Sequence, residues 1–399
     1  MTIDPKLLEQ CVGCGLCLSS CPTFSITHLE QHGPRGRIAG MRAIEDGTFD
    51  ILDPDYLESM ETCVQCRACE EVCPSDVRFG ALMEEARTDI EHARRERGVS
   101  TGLRGVVQRG LLLTIERRTV LRTLTSLLRA AQRIRLDRLL PSRFRIAVPV
   151  RPARLGRDAP NASVAIERDT VHLFRGCVMD AWFGGVHEAS VEVLTAAGSS
   201  VDTSRVGLCC GALHVHAGRA DRAAELAQIT IDAYADTDGP IVVNSAGCGA
   251  AMKEYGRLVG TPEAERFAAR VKDLSECVEP GALPAGAAPE ERRVAWQAPC
   301  HLRYVQQVDD AGRALLEAIP GTTVVEGADR QLCCGAGGAY SVLEPEFSGA
   351  LRDRKCDALR ATGCDVVVTA NPGCAMQLAA GGMQVEHLAE ALARAIEQR

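Results

Sequence analysis

The sequence predicts an α+β protein. A helical N-terminal domain leads through a basic helical connector into two repeated α/β domains with parallel sheets. Three observations predict this. Eight of the nineteen cysteines fall in two copies of one tight pattern near the N-terminus, with helical patterning between and after them (GALMEEARTDIEHARRE). A second cysteine pattern occurs twice further on, at offsets of 123 to 126 residues, as a duplicated domain would give. Within each of those copies, short β-branched runs alternate with Gly/Cys loops and helical segments, the signature of parallel α/β sheets. The expected divisions are 1–93, 94–167, 168–285 and 286–399.

The first division carries the most specific chemistry. Cys11, Cys14, Cys17 and Cys21 form C-x₂-C-x₂-C-x₃-C-P, and Cys63, Cys66, Cys69 and Cys73 repeat it. Each run is closed by a proline, Pro22 and Pro74. This is the ligand run of a ferredoxin carrying two [4Fe–4S] clusters, in which the fourth cysteine of each run serves the other cluster. The expected ligand sets are Cys11, Cys14, Cys17 and Cys73 for one cluster, and Cys63, Cys66, Cys69 and Cys21 for the other. Zinc sites pair two C-x₂-C units across a longer gap, so zinc is the weaker reading. Between the runs, Arg35 and Arg37 in GPRGR read either as charges set against a cluster or a partner carboxylate, or as a solvated loop.

The connector is set apart by charge. Residues 94–157 hold seventeen Arg, no Lys and only three acids, Glu96, Glu116 and Asp137, while the whole chain has a net charge of −8. Its apolar residues recur at helical spacing: Leu111, Leu112 and Ile115, then Leu121, Leu124, Leu127 and Leu128. Arg interleaved with Leu and Val, without aromatics, argues against nucleic acid. It suits a membrane interface, a protein partner or a pair of solvated helix faces. The segment ends in PVRPARLGRDAPN, a linker without periodicity.

The two later domains repeat a pattern C…CC-G…C. Cys177 precedes Cys209 and Cys210, and Cys248 follows; Cys300 precedes Cys333 and Cys334, and Cys374 follows. VGLCCGALHVHAG parallels RQLCCGAGGAYSV, and IVVNSAGCGAAM parallels VVVTANPGCAMQ. The runs VHLF (171–174), IVVN (241–244), VAWQ (294–297) and VVVT (366–369) read as strands. Cysteines just beyond them would gather at the carboxyl edge of a sheet, where open α/β folds place ligands. Gly211 and Gly335 would let backbone approach the sulfurs. Gly247 and Gly373 would bring Cys248 and Cys374 to a helix N-terminus, which favours thiolate. Matched spacing in both copies favours a metallated site over buried structural thiols. His214, His216 and His301 are candidates for a ligand, a sulfur hydrogen bond or a proton relay. His187 reads as a surface helix residue. Cys277, Cys356 and Cys364 have no partner at cluster spacing and read as ordinary thiols.

Bulk composition limits the remaining classes. Apolar content of 46% allows a sizeable core, and with aromatics at 4% aliphatic residues must fill it. The odd cysteine number in a long chain speaks against a disulfide framework, and thiolate ligands fit a reducing compartment. The N-terminus lacks the pattern of a secretory signal. No apolar run is long enough to span a bilayer. These features lead to an expectation of a cytoplasmic protein, peripheral on the inner face of a membrane if the connector binds lipid. No G-x-G-x-x-G follows a strand and no P-loop occurs, so flavin, nicotinamide and ATP sites of those kinds are unsupported.

Taken together, these motifs resemble a known family. The duplicated half looks like the CCG domain of heterodisulfide reductase B-type subunits. The chain as a whole is similar to the iron–sulfur subunit of bacterial glycolate oxidase (glycolate dehydrogenase). The resemblance rests on CVGCGLCLSSCPTF, GPRGRI, CVQCRACEEVCPSDVRFG, CCGALHVH, SAGCGAAMKEYG, the Cys300–His301 pair, LCCGAGGAY and TANPGC. The cysteine motifs are shared with subunits of lactate-utilisation and glycerol-3-phosphate dehydrogenase systems. GPRGRI and CGAAMKEYG narrow the match. One departure stands out: the heterodisulfide reductase pattern ends each copy in C-x-x-C, whereas Ala251 and Gln377 stand here three residues after Cys248 and Cys374. An ordinary [4Fe–4S] cluster therefore fits better than a non-cubane one, either one per copy or one shared by both.

The resemblance implies the iron–sulfur electron-transfer subunit of a flavin-dependent 2-hydroxy-acid dehydrogenase, with glycolate the first choice of substrate. It implies two [4Fe–4S] clusters and one or two more in the CCG half. FAD would sit on a partner subunit, and a quinone or another carrier would accept the electrons. No residue here is expected to be catalytic alone. The rival readings are a disulfide or thiol reductase using the CCG sites, and an interaction module holding zinc or nothing.

Overall fold

The computed structural model describes residues 3–140, 145–152, 154–155, 170–283 and 291–397. Helices dominate the first part. Several begin where the sequence supplies a start signal. Asp53 caps Pro54–Glu61 by accepting from the backbone N–H groups of Asp55 and Tyr56, and Pro54 takes the first helical position, where no N–H is needed. The proline closing the first cysteine run does the same for Pro22–Thr27, so Cys21 sits at that helix's N-cap. The GPRGR segment is not a loop but the start of the helix Pro34–Glu45. The long helix Phe79–Glu96 runs past residue 93. Its inner face supplies Leu82, Met83, Ala86 and Ile90 to a core that also takes Met41 and Met60.

Each later part is a four-stranded parallel sheet. The strands are β1 (Thr170–Phe174), β2 (Ser200–Asp202), β3 (Ile241–Val243) and β4 (Val271–Asp273), then β5 (Arg292–Trp296), β6 (Thr322–Val325), β7 (Val366–Thr369) and β8 (Gln384–His387). Their orders are β2-β1-β3-β4 and β6-β5-β7-β8, so the duplication seen in sequence is a duplication of topology. The central strands are apolar on both sides, as parallel strands covered by helices must be: Leu173 pairs with Val242 and Val294 with Val366.

The two sheets share one core. Val171, Val193 and Leu194 of the first repeat bury against the same cluster as Trp296, Leu388 and Leu392 of the second. His187 is fully buried, contrary to its reading as a surface residue. Its ring bonds the carbonyl of Arg175 and the carboxamide of Asn244, and burial lowers its pKa to about 4. His387 reaches the Asn244 carbonyl from the second repeat.

The connector is a pair of helices, Gly102–Glu116 and Arg118–Arg133. It is fastened to both repeats. Trp182 donates to Thr125 at 3.0 Å, Arg118 faces Asp180 and Arg104 pairs with Glu344. Most of the Pro/Arg-rich linker at 149–161 lies outside the described residues.

Candidate metal centres

The N-terminal cysteines lie on two loops of matching conformation. In C-x₂-C-x₂-C, the residues just before and just after the second cysteine take positive φ. They are Gly13 (71°) and Gly15 (84°) in the first run, and Gln65 (56°) and Arg67 (63°) in the second. The turn curls the loop so that successive sulfurs face one region. Cys14 is exposed and Cys11 and Cys17 are half-buried, whereas Cys21, Cys63, Cys66 and Cys69 are buried. Cys21 lies close enough to Cys66 and Cys69 for their charges to interact. Cys73 packs on the same core as Cys11 and Cys17. Burial pushes the Cys17 thiol up to about 11.

Arg37 is buried and spends its donors on Ser59 O, His32 O and the hydroxyls of Thr23 and Thr62. It clamps the segment between the two runs. Arg35 instead donates to Gly13 O in the first cysteine loop and pairs with Glu30. Arg87, from the long helix, donates to Met60 O and Cys63 O, and to His216 O of the first repeat. A guanidinium held this close to the second run offsets negative charge gathered there.

In the repeats the eight remaining candidates form two identical rows. Thiol contacts run Cys177–Cys209–Cys210–Cys248 in the first copy. They run Cys300–Cys333–Cys334–Cys374 in the second, with Cys334 Sγ 3.2 Å from Cys374 Sγ. Cys209 and Cys333 accept from their neighbours, which holds both well below the ordinary thiol range. The glycine after each pair is required. Gly211 and Gly335 have φ of 76° and 80°, and a Cβ on Gly335 would lie 2.6 Å from Ser348 O. Cys248 and Cys374 sit in the first turns of Ala246–Lys253 and Pro372–Ala380. The residue three before each, Ser245 and Asn371, bonds its sulfur.

Among the described residues, no three or more His, Cys, Asp or Glu side chains are gathered as ligands of one metal ion. The thiols instead contact one another in rows. It is the donor chemistry that fits a cluster: eight thiol sulfurs in two sets of four. Soft sulfur donors of this kind select iron–sulfur clusters, zinc or Cu(I) over oxygen-preferring ions. Gly335 N–H points at Cys333 Sγ at 3.4 Å, the type of hydrogen bond that tunes a cluster. The buried His214 stands within hydrogen-bonding reach of Cys209 and favours its thiolate. The Nε2 of His214 is fixed by Glu116 of the connector at 2.5 Å. Cys277, pushed up to about 12 by burial, Cys356 and Cys364 belong to neither row.

The sets are neighbours in space. Cys66 of the second run lies within charge range of Cys333 and Cys300. Val64, Cys66, Cys333 and Tyr340 share one apolar cluster. The two repeats meet at the rows as well. Asn371 accepts from Gly247 N–H at 3.2 Å, beside Cys248, while donating to Cys374. His216 stacks on His301 at 5.7 Å, and His301 bonds Gln65 O. Gln65, Arg87 and Asn371 carry no motif of their own. Only an overlay of the two cysteine runs sets Gln65 apart, as a bulky residue where the other run has glycine.

A two-run cysteine domain joined to duplicated, cysteine-rich α/β domains defines an iron–sulfur protein of multicluster type. Comparison with known proteins agrees. A 4Fe-4S dicluster domain matches residues 7–77, and a cysteine-rich domain (CCG) matches 171–253 and 294–379. The chain is 34% identical to the probable glycolate oxidase iron-sulfur subunit of Bacillus subtilis, over 98% of this chain and 95% of that one. It is 30% identical to the glycolate oxidase iron-sulfur subunit of Escherichia coli, with the same coverage. Lactate utilization protein A of Shouchella clausii is 30% identical over 56% of this chain and 98% of its own. The chain belongs to the family of glycolate oxidase iron–sulfur subunits. Its cofactors are therefore iron–sulfur clusters, which supply one-electron transfer.

Proposed function

We propose that this chain carries electrons from an FAD-bearing partner subunit, which oxidises a 2-hydroxy acid, to a quinone. Glycolate is the substrate that the named relatives favour. Cys11, Cys14, Cys17 and Cys73 hold one [4Fe–4S] cluster, and Cys63, Cys66, Cys69 and Cys21 hold the other. The two rows in the repeats hold one further cluster each. The observation that carries this reading is the continuity of the thiol sets. One run reaches the surface at Cys14, Cys63, Cys66 and Cys69 of the other are buried, and Cys66 lies within charge range of Cys333 of the second repeat. A relay needs such a series, whereas a lone structural site does not.

The connector supports peripheral binding to an anionic membrane. Of the eighteen large apolar residues exposed on the described surface, twelve lie between Val99 and Leu140. Val120, Leu124, Leu127 and Ile134 fall on one helical stripe, 40% to 72% exposed, while Arg122, Arg129 and Arg133 fall on the opposite side of the helix. An exposed apolar stripe on a strongly basic segment is what an interfacial helix presents to an anionic membrane. Among the described residues, no helix is long and apolar enough to cross a membrane.

The test of function is reconstitution. The purified, cluster-loaded chain alone should not oxidise glycolate or lactate. Mixed with the flavoprotein subunit, it should pass electrons from glycolate to a soluble quinone. Turnover of a hydroxy acid by the flavin-free chain would overturn the proposal.

A further inference from the structure

The two cysteine loops have the same backbone but not the same residues. Positive φ is comfortable for Gly13 and Gly15 and costs roughly 1–2 kcal/mol for a residue with a side chain. The second loop nonetheless places Gln65 and Arg67 there. For Arg67 the reason is visible: it bonds Glu70 at 2.9 Å and Glu254 of the first repeat at 2.5 Å, joining the domains. Gln65 has no such reason. It is 6% exposed, and neither its Oε1 nor its Nε2 has a hydrogen-bond partner. Leaving both ends of a buried carboxamide unpaired is costly. Strain and an unmet polar group at one residue point to a ligand.

A cleft lies where Gln65 sits. Its cavity volume is about 90 Å³, open on one side, and it is lined by Cys63, Gln65 and His216, with Ile90, Leu213 and Leu343 as apolar walls. His216 Nδ1 is a second buried nitrogen without a partner. Arg87, whose guanidinium meets only backbone carbonyls, adds positive charge to the wall. The mouth is framed by Arg104 and Gln108 of the connector, whose helices carry the exposed apolar stripe.

We propose that this cleft binds the quinone, with Gln65 as its positioning residue. The inference rests on the reading of a quinone acceptor given above and assigns its site. A carboxamide suits both forms of such a ligand. Its N–H donates to the carbonyl of the oxidised ring, and its oxygen accepts from the hydroxyl of the reduced ring. The apolar walls take the ring and the start of its tail. The balance is simple: two electrons, delivered singly, and two protons from solvent turn quinone into hydroquinone. The electrons derive from the hydroxy acid, whose C–OH becomes C=O.

The test is equilibrium binding of a short-chain ubiquinone to the cluster-loaded full chain, by calorimetry. Gln65→Gly restores the residue that this backbone prefers, so thermal midpoint and iron content should hold or rise. Quinone binding should weaken about tenfold, equivalent to about 1.4 kcal/mol. Gln108→Trp narrows the mouth from a helix that carries no cysteine and should also weaken binding. Unchanged affinity in both variants would overturn the cleft while leaving the quinone reading intact. No binding by the parent chain, together with a reconstituted complex that reduces only non-quinone acceptors, would overturn both.

Discussion

Cys210→Ser and Cys334→Ser, made singly, should each lower the iron content by about four per chain, because each breaks one four-thiol set. Both cysteines stand mid-row. Cys210 touches Cys209 and Cys248, and Cys334 touches Cys333 and Cys374. A serine hydroxyl is a hard donor that stays protonated at neutral pH, so it does not replace the soft thiolate. Electron flow to quinone should fall by at least tenfold, while reduction of the partner's flavin by substrate persists, since that step lies upstream. Cys356→Ser is the control. Cys356 is fully buried in an apolar cluster of the second repeat and shares no row. The change should cost about 1–3 kcal/mol of stability without removing iron. Full iron and full activity in both row variants would make these cysteines structural and confine the relay to the N-terminal domain.

The second large effect concerns the connector. Leu124→Glu with Leu127→Glu should abolish sedimentation with anionic vesicles. The two side chains are 48% and 63% exposed, so the fold loses little when they change. Burying one leucine in the acyl boundary is worth about 1.5–3 kcal/mol, and two acids in place of the stripe's leucines also repel anionic headgroups. A loss of vesicle affinity of at least a hundredfold is expected, with iron content and thermal midpoint unchanged. Binding by the parent should weaken as salt is raised, since exposed charges are screened. Vesicle binding equal to the parent's would refute membrane contact here. Loss of flavoprotein co-purification in its place would assign the stripe to that subunit.

Much of this architecture is legible in the sequence because its strongest signals are local. The cysteine runs are fixed spacings; β3 and β7 are unbroken β-branched runs, and β1 and β5 end in buried, mostly apolar runs, because both faces of these central strands are covered. The edge strands β2 and β8 are not legible. β2 is SVD and β8 is QVEH, short and mixed because an edge has one neighbour and one wet side. Burial of His187 also escapes a local reading. Its helix, Gly184–Ala196, looks like a surface element until the C-terminal helix Leu388–Glu397 of the other repeat closes over the shared core. The same holds for the connector. Glu116 meets His214 and Arg104 meets Glu344, pairs too distant along the chain for any periodicity to report. Gln65 lies between these cases. Its loop is predictable from spacing, but its unmet carboxamide becomes visible only once the cleft has formed around it.

The most direct test of the relay is to watch cluster reduction by paramagnetic resonance under anaerobic conditions. The full chain is mixed with the flavoprotein subunit, and glycolate is added last. Reduced iron–sulfur signals should appear only when chain, flavoprotein and glycolate are all present, and should disappear again when quinone is added. Signals that appear with glycolate and no flavoprotein, or none with all three together, would contradict the account.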